Sequence, residues 1–422
     1  MIAVARWRRD WLLLFLLAVA LRLGAGLATG GLVHPQLFEY DDMARNLLAG
    51  NGLTIRHLGL TYHSFAPPLL SRISAASYWS TGSIVPAMLL QIAAGGALAV
   101  VAAAIAQRLF GDRVAAAAAG FFVAVHPGLI VYSATKAHPL SFDSLFFTLA
   151  LLMFFRLHDT PTVKRAVMLG VIVGLGALSR STMLIFFPIG AVWMLAVTPR
   201  GGRRSTMRIL TTSGIAAFLV LAPWSIRDSI VHQRALFLIS TTGEDFWDGN
   251  NRNATGHSYI DAGHAVIDSL TPAERADLKS QPDEIAQSQW FMNQAVAFIK
   301  ANPAAFVRLT FLKFFNFWWF APQTGVLYPV LWRQLYMAYY VLVLLLAGAG
   351  AWRLAPADAD TVTRRMALLL GAFLLGLSAV QSVYYVEARH RWAIEPMLLA
   401  ISGGGVAVLV GRRRGLESKL NP

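Results

Sequence analysis

The chain contains no cysteine. That excludes a disulfide framework, a thiolate metal site and a thiol nucleophile. Charge is also scarce: only 14% of its 422 residues are Asp, Glu, Lys or Arg, against 56% hydrophobic. A water-soluble surface cannot be assembled from so few ionic groups, and a mean hydropathy of +0.54 marks a polytopic membrane protein. Acidic residues are the rarer sign, 22 against 36 basic, for a net charge of +14. The basic residues follow the loops and are not clustered with aromatics on one soluble face, so nucleic acid is not the implied partner. No internal repeat of the kind that builds transporters from duplicated halves is visible, and apart from Arg22 the mid-span positions carry almost no charge.

What is present is apolar length. Segments at about 11–30, 84–107, 114–132, 139–157, 165–180, 182–198, 209–226, 331–352, 366–386 and 392–410 approach the roughly 20 residues that cross a hydrocarbon core. The expected fold is an all-α polytopic membrane bundle of about ten transmembrane helices. Residues 1–227 form an N-terminal membrane module with a first outside loop at about 31–83. A second outside loop spans 228–330, and 331–422 hold the C-terminal membrane helices. With the N-terminus inside, the connections 1–10, 108–113, 156–165, 199–208, 352–365 and 411–422 carry more than half of the 36 Lys and Arg, which sets both termini in the cytoplasm. The basic start before Trp11 resembles a signal peptide in charge, but no small-residue cleavage site follows, so it reads as a retained first span. In the second loop, Thr271-Pro272-Ala273-Glu274 predicts a capped helix start and 285–299 a helix outside the bilayer. The stretch 303–320 ends in Phe317-Trp318-Trp319-Phe320 and reads as an interfacial or re-entrant helix, its aromatics a membrane belt first and a sugar platform second.

The first outside loop opens on an acidic helix, 38–49. Tyr40, Ala44, Leu47 and Leu48 share one face, and Glu39, Asp42 and Asn46 another. A carboxylate beside a membrane, kept ionised by neighbouring cations, can serve as general base toward an acceptor hydroxyl or amine; the plainer alternative is that Asp41 and Arg45 form an i,i+4 pair and the other acids are solvated. Lys136, Arg180, Arg227, Arg389 and Arg391 fall at the outer ends of spans, where statistics disfavour cations, and an anionic ligand such as a lipid phosphate explains the placement. Pairing with Glu387 or Asp228, or with the headgroups of membrane lipids, is the alternative. Arg22, inside the first span, must snorkel outward or meet a carboxylate. His126, His138, His257 and His264 show no tight ligand spacing, so satisfied or exposed histidines are the plainer reading, and a divalent metal held with Asp41, Asp42 or Asp143 would have to be assembled in three dimensions.

Several segments together resemble a known family: Ala222-Pro223-Trp224-Ser225-Ile226-Arg227-Asp228; the run from Ile239 through Gly243-Glu244-Asp245-Phe246-Trp247-Asp248-Gly249-Asn250-Asn251 to Gly256; Tyr40 with Ala44-Arg45-Asn46-Leu47-Leu48 and Gly50-Asn51-Gly52; Ala66-Pro67-Pro68-Leu69; Leu178-Ser179-Arg180; and Glu387-Ala388-Arg389-His390-Arg391 before Ile394-Glu395-Pro396. In this order they resemble the bacterial family 39-like glycosyltransferases, enzymes of GT-C fold in the protein mannosyltransferase and aminoarabinose transferase superfamily. The resemblance implies a transferase of the bacterial cytoplasmic membrane that moves a hexosyl or pentosyl group from a polyprenyl-phosphate donor to an extracytoplasmic lipid, glycan or protein acceptor. It implies a base among the first-loop acids Glu39, Asp41 and Asp42, and a second acid at Asp143. Lys136, Arg180, Arg227, Arg389 and Arg391 would hold the donor phosphate, and Tyr40, Trp247, Asn250 and Asn251 the sugar or acceptor, although Gly249-Asn250-Asn251 suits a plain turn equally. This sequence departs from the family at Gln36, where many relatives carry the acid, at Ser181 in place of a proline, and at Asp228 in place of an asparagine. Two other classes share parts of this profile. A lipid-linked glycan polymerase or ligase would need no first-loop carboxylate, and a transporter would place charges at mid-bilayer.

Overall fold

The computed structural model describes residues 2–261, 263–320, 330–354 and 361–420, with side chains described between Arg9 and Gly411. In chain order the first membrane helix α1 (Ile2–Ala28) leads to a loop holding α2 (Glu39–Leu48), the hairpin β1 (Ile55–His57) and β2 (Leu60–Tyr62), and α3 (Leu69–Thr81). Then come α4 (Val85–Phe110), α5 (Arg113–Val125), α6 (Pro127–Thr135), α7 (Leu140–Asp159), α8 (Val163–Ser179), a 3₁₀ turn at Ser181–Ile185, α9 (Phe186–Val197) and α10 (Arg203–His232). The second large loop carries α11 (Thr242–Asp248), the small pair β3 (Tyr259–Asp261) and β4 (His264–Ala265), α12 (Pro272–Lys279), α13 (Glu284–Ala301) and α14 (Pro303–Trp318). The chain closes with α15 (Val330–Leu354), α16 (Thr361–Val383), α17 (Ala388–Trp392) and α18 (Glu395–Leu420).

Helix covers each of the ten expected spans, yet among the described residues only six helices are long and apolar enough to cross a membrane singly, or up to eight if each bent pair is one span. Ser181–Val197 and Glu395–Gly411 are apolar but shorter. The third expected span is two helices, α5 and α6, bent by 48°. Pro127 causes the break: it has no N–H to give to Val123. His126 then starts α6 by accepting from the Leu129 N–H with Nδ1 at 3.1 Å. The carbonyls of Val123 and Ala124, freed at the break, take hydrogen bonds of 3.1 Å from the Arg22 guanidinium, which is fully buried. Arg22 therefore neither snorkels nor meets a carboxylate. Gly95 of α4 makes the space, since a Cβ there would lie 2.5 Å from Arg22 Nε. The segment 303–320 does not continue α13 straight: the two helices meet at 110° at Asn302-Pro303. The capped start at Thr271 is present, with Thr271 and Glu274 closing a reciprocal capping box.

The core runs through the bundle from Leu98 and Ile105 of α4 through Phe147 and Phe154 of α7 to Phe373 of α16 and Leu399 of α18. Lipid is as apolar as leucine, so helix association here rests on close packing more than on removal from water. Small residues provide it: at Gly170, where α8 crosses α10, a Cβ would stand 2.3 Å from the Ser213 carbonyl oxygen. Leu219, Leu345 and Leu368 point outward in keeping with a lipid-facing belt. The second large loop has its own small core around Trp247, Trp290 and Phe291. The β1–β2 hairpin turns at Leu58 and Gly59, both with positive φ (48° and 90°), the signature of a type I′ turn.

Candidate active site

Both large loops close over the same end of the bundle and enclose a cavity of about 260 Å³. Glu39 and Tyr40 enter it from the start of α2. Arg180 enters from the turn between α8 and α9, and Tyr385, Arg389 and His390 from the link that follows α16 and from α17. The remaining wall is α11, which presents Glu244, Asp245 and Asp248. Their spacing places all three on one helical face.

Each cation in this wall is held. Arg180 Nε donates to Asp143 at 2.7 Å, and the other oxygen of Asp143 accepts from the Ser179 hydroxyl at 2.6 Å. Asp143 is fully buried in the first turn of α7 and does not line the cavity. It fixes the arginine that does. Arg389 pairs with Glu387 at 2.7 Å. Burial raises the Glu39 carboxyl above the ordinary range, while Arg389 and Arg180 pull it back. Burial, reinforced by Glu244, pushes Asp245 up to about 7, and Asp248 rises well above the carboxylate range for the same two reasons. His138 and His390 are held neutral by burial and by the two arginines.

A second cavity of about 300 Å³ adjoins the first and is mostly apolar, lined by Val131, Trp319, Phe320, Trp332 and Trp392 among others. The two share a wall. Lys136 faces the apolar cavity and His138, two residues on, the acidic one; in α17, Ala388 and Arg391 face the apolar side and Arg389 and His390 the acidic side. The extended backbone at 136–138 alternates its side chains across this wall. It is anchored by the first loop: Gln36 accepts from the Lys136 ammonium at 2.8 Å, and its backbone bridges Thr135 and Ala137.

The expected site residues are therefore only partly assembled. Glu39, Tyr40, Arg180 and Arg389 meet in the acidic cavity, with Lys136 at the shared wall. Asp41 turns away from it and accepts from Arg45 (2.7 Å) and Tyr78 (2.5 Å), the i,i+4 alternative realised. Asp42 is exposed and lines neither cavity. Arg227 is bound to Asp228 (2.8 Å) and the His63 carbonyl (2.6 Å), away from both cavities. Arg391 borders the apolar cavity, but its donors are committed to the Tyr336 hydroxyl and the carbonyls of Phe317 and Trp319. Trp247 packs on Phe291 on the far side of α11, where with Asn251 it lines a separate cavity. Asn251 binds the Trp247 carbonyl and the Asn253 N–H. Asn250 is fully buried and donates to the carbonyls of Phe246 and Val383. These three side chains support α11 and do not face the acidic cavity. The residues that sequence reasoning missed, Glu244, Asp245 and Asp248, lie in the segment that pointed to Trp247 and the asparagines; their i, i+1, i+4 spacing was the available signal. Among the described residues no group of three or more His, Asp or Glu is arranged to hold a metal ion.

Residues 66–226 match the family model of dolichyl-phosphate-mannose-protein mannosyltransferases. The crystal structure of the Archaeoglobus fulgidus oligosaccharyltransferase, tethered with an acceptor peptide, shares the fold over 96% of this chain at 14% identity and a TM-score of 0.53, and the chain spans 50% of its length. ArnT from Cupriavidus metallidurans, bound to undecaprenyl phosphate, aligns over 94% of this chain and 77% of its own at 15% identity, with a TM-score of 0.46. No curated protein sequence gives a significant match. Over 66–226 the chain is therefore similar to the protein mannosyltransferases, and along nearly its whole length it has the fold of that oligosaccharyltransferase: it is an all-α polytopic membrane protein of GT-C-type fold.

Proposed function

We propose that this chain is a glycosyltransferase that takes its sugar from a polyprenyl-phosphate donor and transfers it to an acceptor at the extracytoplasmic face of a bacterial cytoplasmic membrane. The observation that carries the reading is the shared wall: an apolar cavity on one side, an acidic polar cavity on the other, and Lys136, Arg180 and Arg389 on or beside the partition. An isoprenoid chain suits the apolar side and a sugar the polar side, which leaves the phosphate at the cations. The positive-inside pattern of the loops supports an extracytoplasmic site.

In this reading the acceptor hydroxyl or amine attacks the anomeric carbon as the sugar–phosphate bond breaks, and the lipid phosphate leaves with the bonding pair. Lys136, Arg180 and Arg389 stabilise the charge that collects on its oxygens. Glu39, the one first-loop acid on the cavity wall, receives the acceptor proton; Arg389 and Arg180 beside it favour the ionised form a base requires. Tyr40 supports the sugar.

The test is transfer of labelled sugar from polyprenyl-phosphate sugars in membranes containing wild type, Glu39→Gln, Asp41→Asn or Asp42→Asn at matched expression. Glu39→Gln should lose about 100-fold or more in turnover while the other two stay within about threefold. Full activity in Glu39→Gln would remove it as base. Absence of transfer by the wild type from every such donor would remove the donor assignment.

A further inference from the structure

Lys313 is a buried cation that the proposed chemistry does not use. It sits on α14 with no exposed surface, and its ammonium donates to the Tyr384 carbonyl (2.8 Å), the Asn250 carboxamide oxygen (3.0 Å), the Gly249 carbonyl (3.1 Å) and the Val383 carbonyl (3.3 Å). None of these is a carboxylate. All four lie where a helix ends: Gly249 and Asn250 follow the last residue of α11, and Val383 and Tyr384 terminate α16. Carbonyls at a helix C-terminus have no partner of their own and carry the negative end of the helix dipole. One ammonium therefore satisfies two helix ends at once.

The junction is tight on every side. A Cβ at Gly249 would stand 1.8 Å from the Tyr384 carbonyl oxygen, Asn250 Nδ2 donates to Val383 at 2.8 Å, and Phe246 packs edge-on against Tyr384 with ring centroids 5.6 Å apart. What leaves it is the wall of the acidic cavity. Going back along α11, the residues are Asp248, Asp245 and Glu244; going forward from α16, they are Tyr385, Arg389 and His390.

We propose that Lys313 is a positioning residue that clamps α11 to the end of α16, so that the acids of one and the arginine and tyrosine of the other face a single cavity. It touches no reacting atom in this reading. The clamp is a claim about geometry, and its consequence for turnover rests on the glycosyl transfer proposed above.

The absence of cysteine allows a direct test. Spin labels at Asn253→Cys, just past α11, and Leu375→Cys, on the exposed flank of α16, report the distance between the two helices, alone and combined with Lys313→Met, Asn250→Ala and the double variant. The clamp predicts a narrow distribution in the parent and a broad one in Lys313→Met and Asn250→Ala. It also predicts a turnover loss of about 100-fold in Lys313→Met with donor KM within about threefold, because misplacement by an ångström acts on the reacting geometry. The double variant should lose less than the two single losses combined, since both act on one junction. A parent-like narrow distribution in Lys313→Met would overturn the clamp, as would strictly additive losses. Should Lys313→Met fail to fold, Asn250→Ala decides by the same distance and KM criteria. Broadened distances in a protein whose parent transfers no sugar would leave the clamp standing and remove the transfer reading.

Discussion

Asp143→Asn tests the arrangement where stability and function meet. Asp143 is fully buried, and its two oxygens are divided between Arg180 Nε (2.7 Å) and the Ser179 hydroxyl (2.6 Å). Asparagine keeps the shape but can accept through only one of those positions; the other becomes an NH₂ that faces a donor. Removing one partner of a fully buried ion pair costs about 3–5 kcal/mol. Arg180 keeps 19% of its side chain exposed toward the cavity, and one hydrogen bond survives, so the expected loss is about 2–3 kcal/mol. Freed from Asp143, the guanidinium no longer points at the position assigned to the donor phosphate, and donor KM should rise by about tenfold, equivalent to about 1.4 kcal/mol. Unfolding of the purified protein in detergent, with transfer kinetics on the same samples, measures both. Asp143→Asn/Arg180→Gln should be less destabilised than the two single losses combined, with a coupling of about 1–3 kcal/mol, because removing both charges leaves neither buried alone. Unchanged stability and KM in Asp143→Asn, or a cycle without coupling, would refute the role given to this pair.

Other outcomes follow from the same structure. Arg22→Leu should destabilise the protein by about 2–5 kcal/mol by stranding the Val123 and Ala124 carbonyls at the Pro127 break, read as a lower unfolding midpoint, and a midpoint equal to wild type would contradict that account. Gly249→Ala should broaden the α11–α16 distance and lower turnover, since its Cβ would overlap the Tyr384 carbonyl oxygen; a fully active Gly249→Ala would mean that the junction yields easily. The raised carboxyl of Asp245 makes a signed prediction. Its value is about 7 in the folded protein against an ordinary 3.8, so the folded state holds the proton more tightly and this contribution to stability is present at low pH and lost as pH rises from about 4 through 7. Asp245→Asn should flatten that part of the stability profile, and a profile identical to wild type would show that Asp245 does not titrate there.

The amino-acid sequence by itself determined the membrane bundle, because apolar length and the shortage of charge leave a polypeptide no other way to satisfy its backbone. It also determined local events whose cause lies within a few residues: the Thr271–Glu274 cap, the break at Pro127 and the Asp41–Arg45 pair. Family resemblance placed Glu39, Tyr40, Arg180 and Arg389 among the candidates, and these are the ones that meet in the cavity. Tertiary structure alone decided which of the span-end cations remain turned toward the two cavities. Arg227 and Arg391 look equivalent to Arg180 along the chain, yet the carbonyl of His63 and the hydroxyl of Tyr336, both distant in sequence, take up their donors. The same holds for Arg22, whose partners lie about a hundred residues away, and for Lys313, whose four oxygens come from two other helix ends. A hydrogen bond's worth depends on whether its partner is present at that depth, and only packing brings distant partners there.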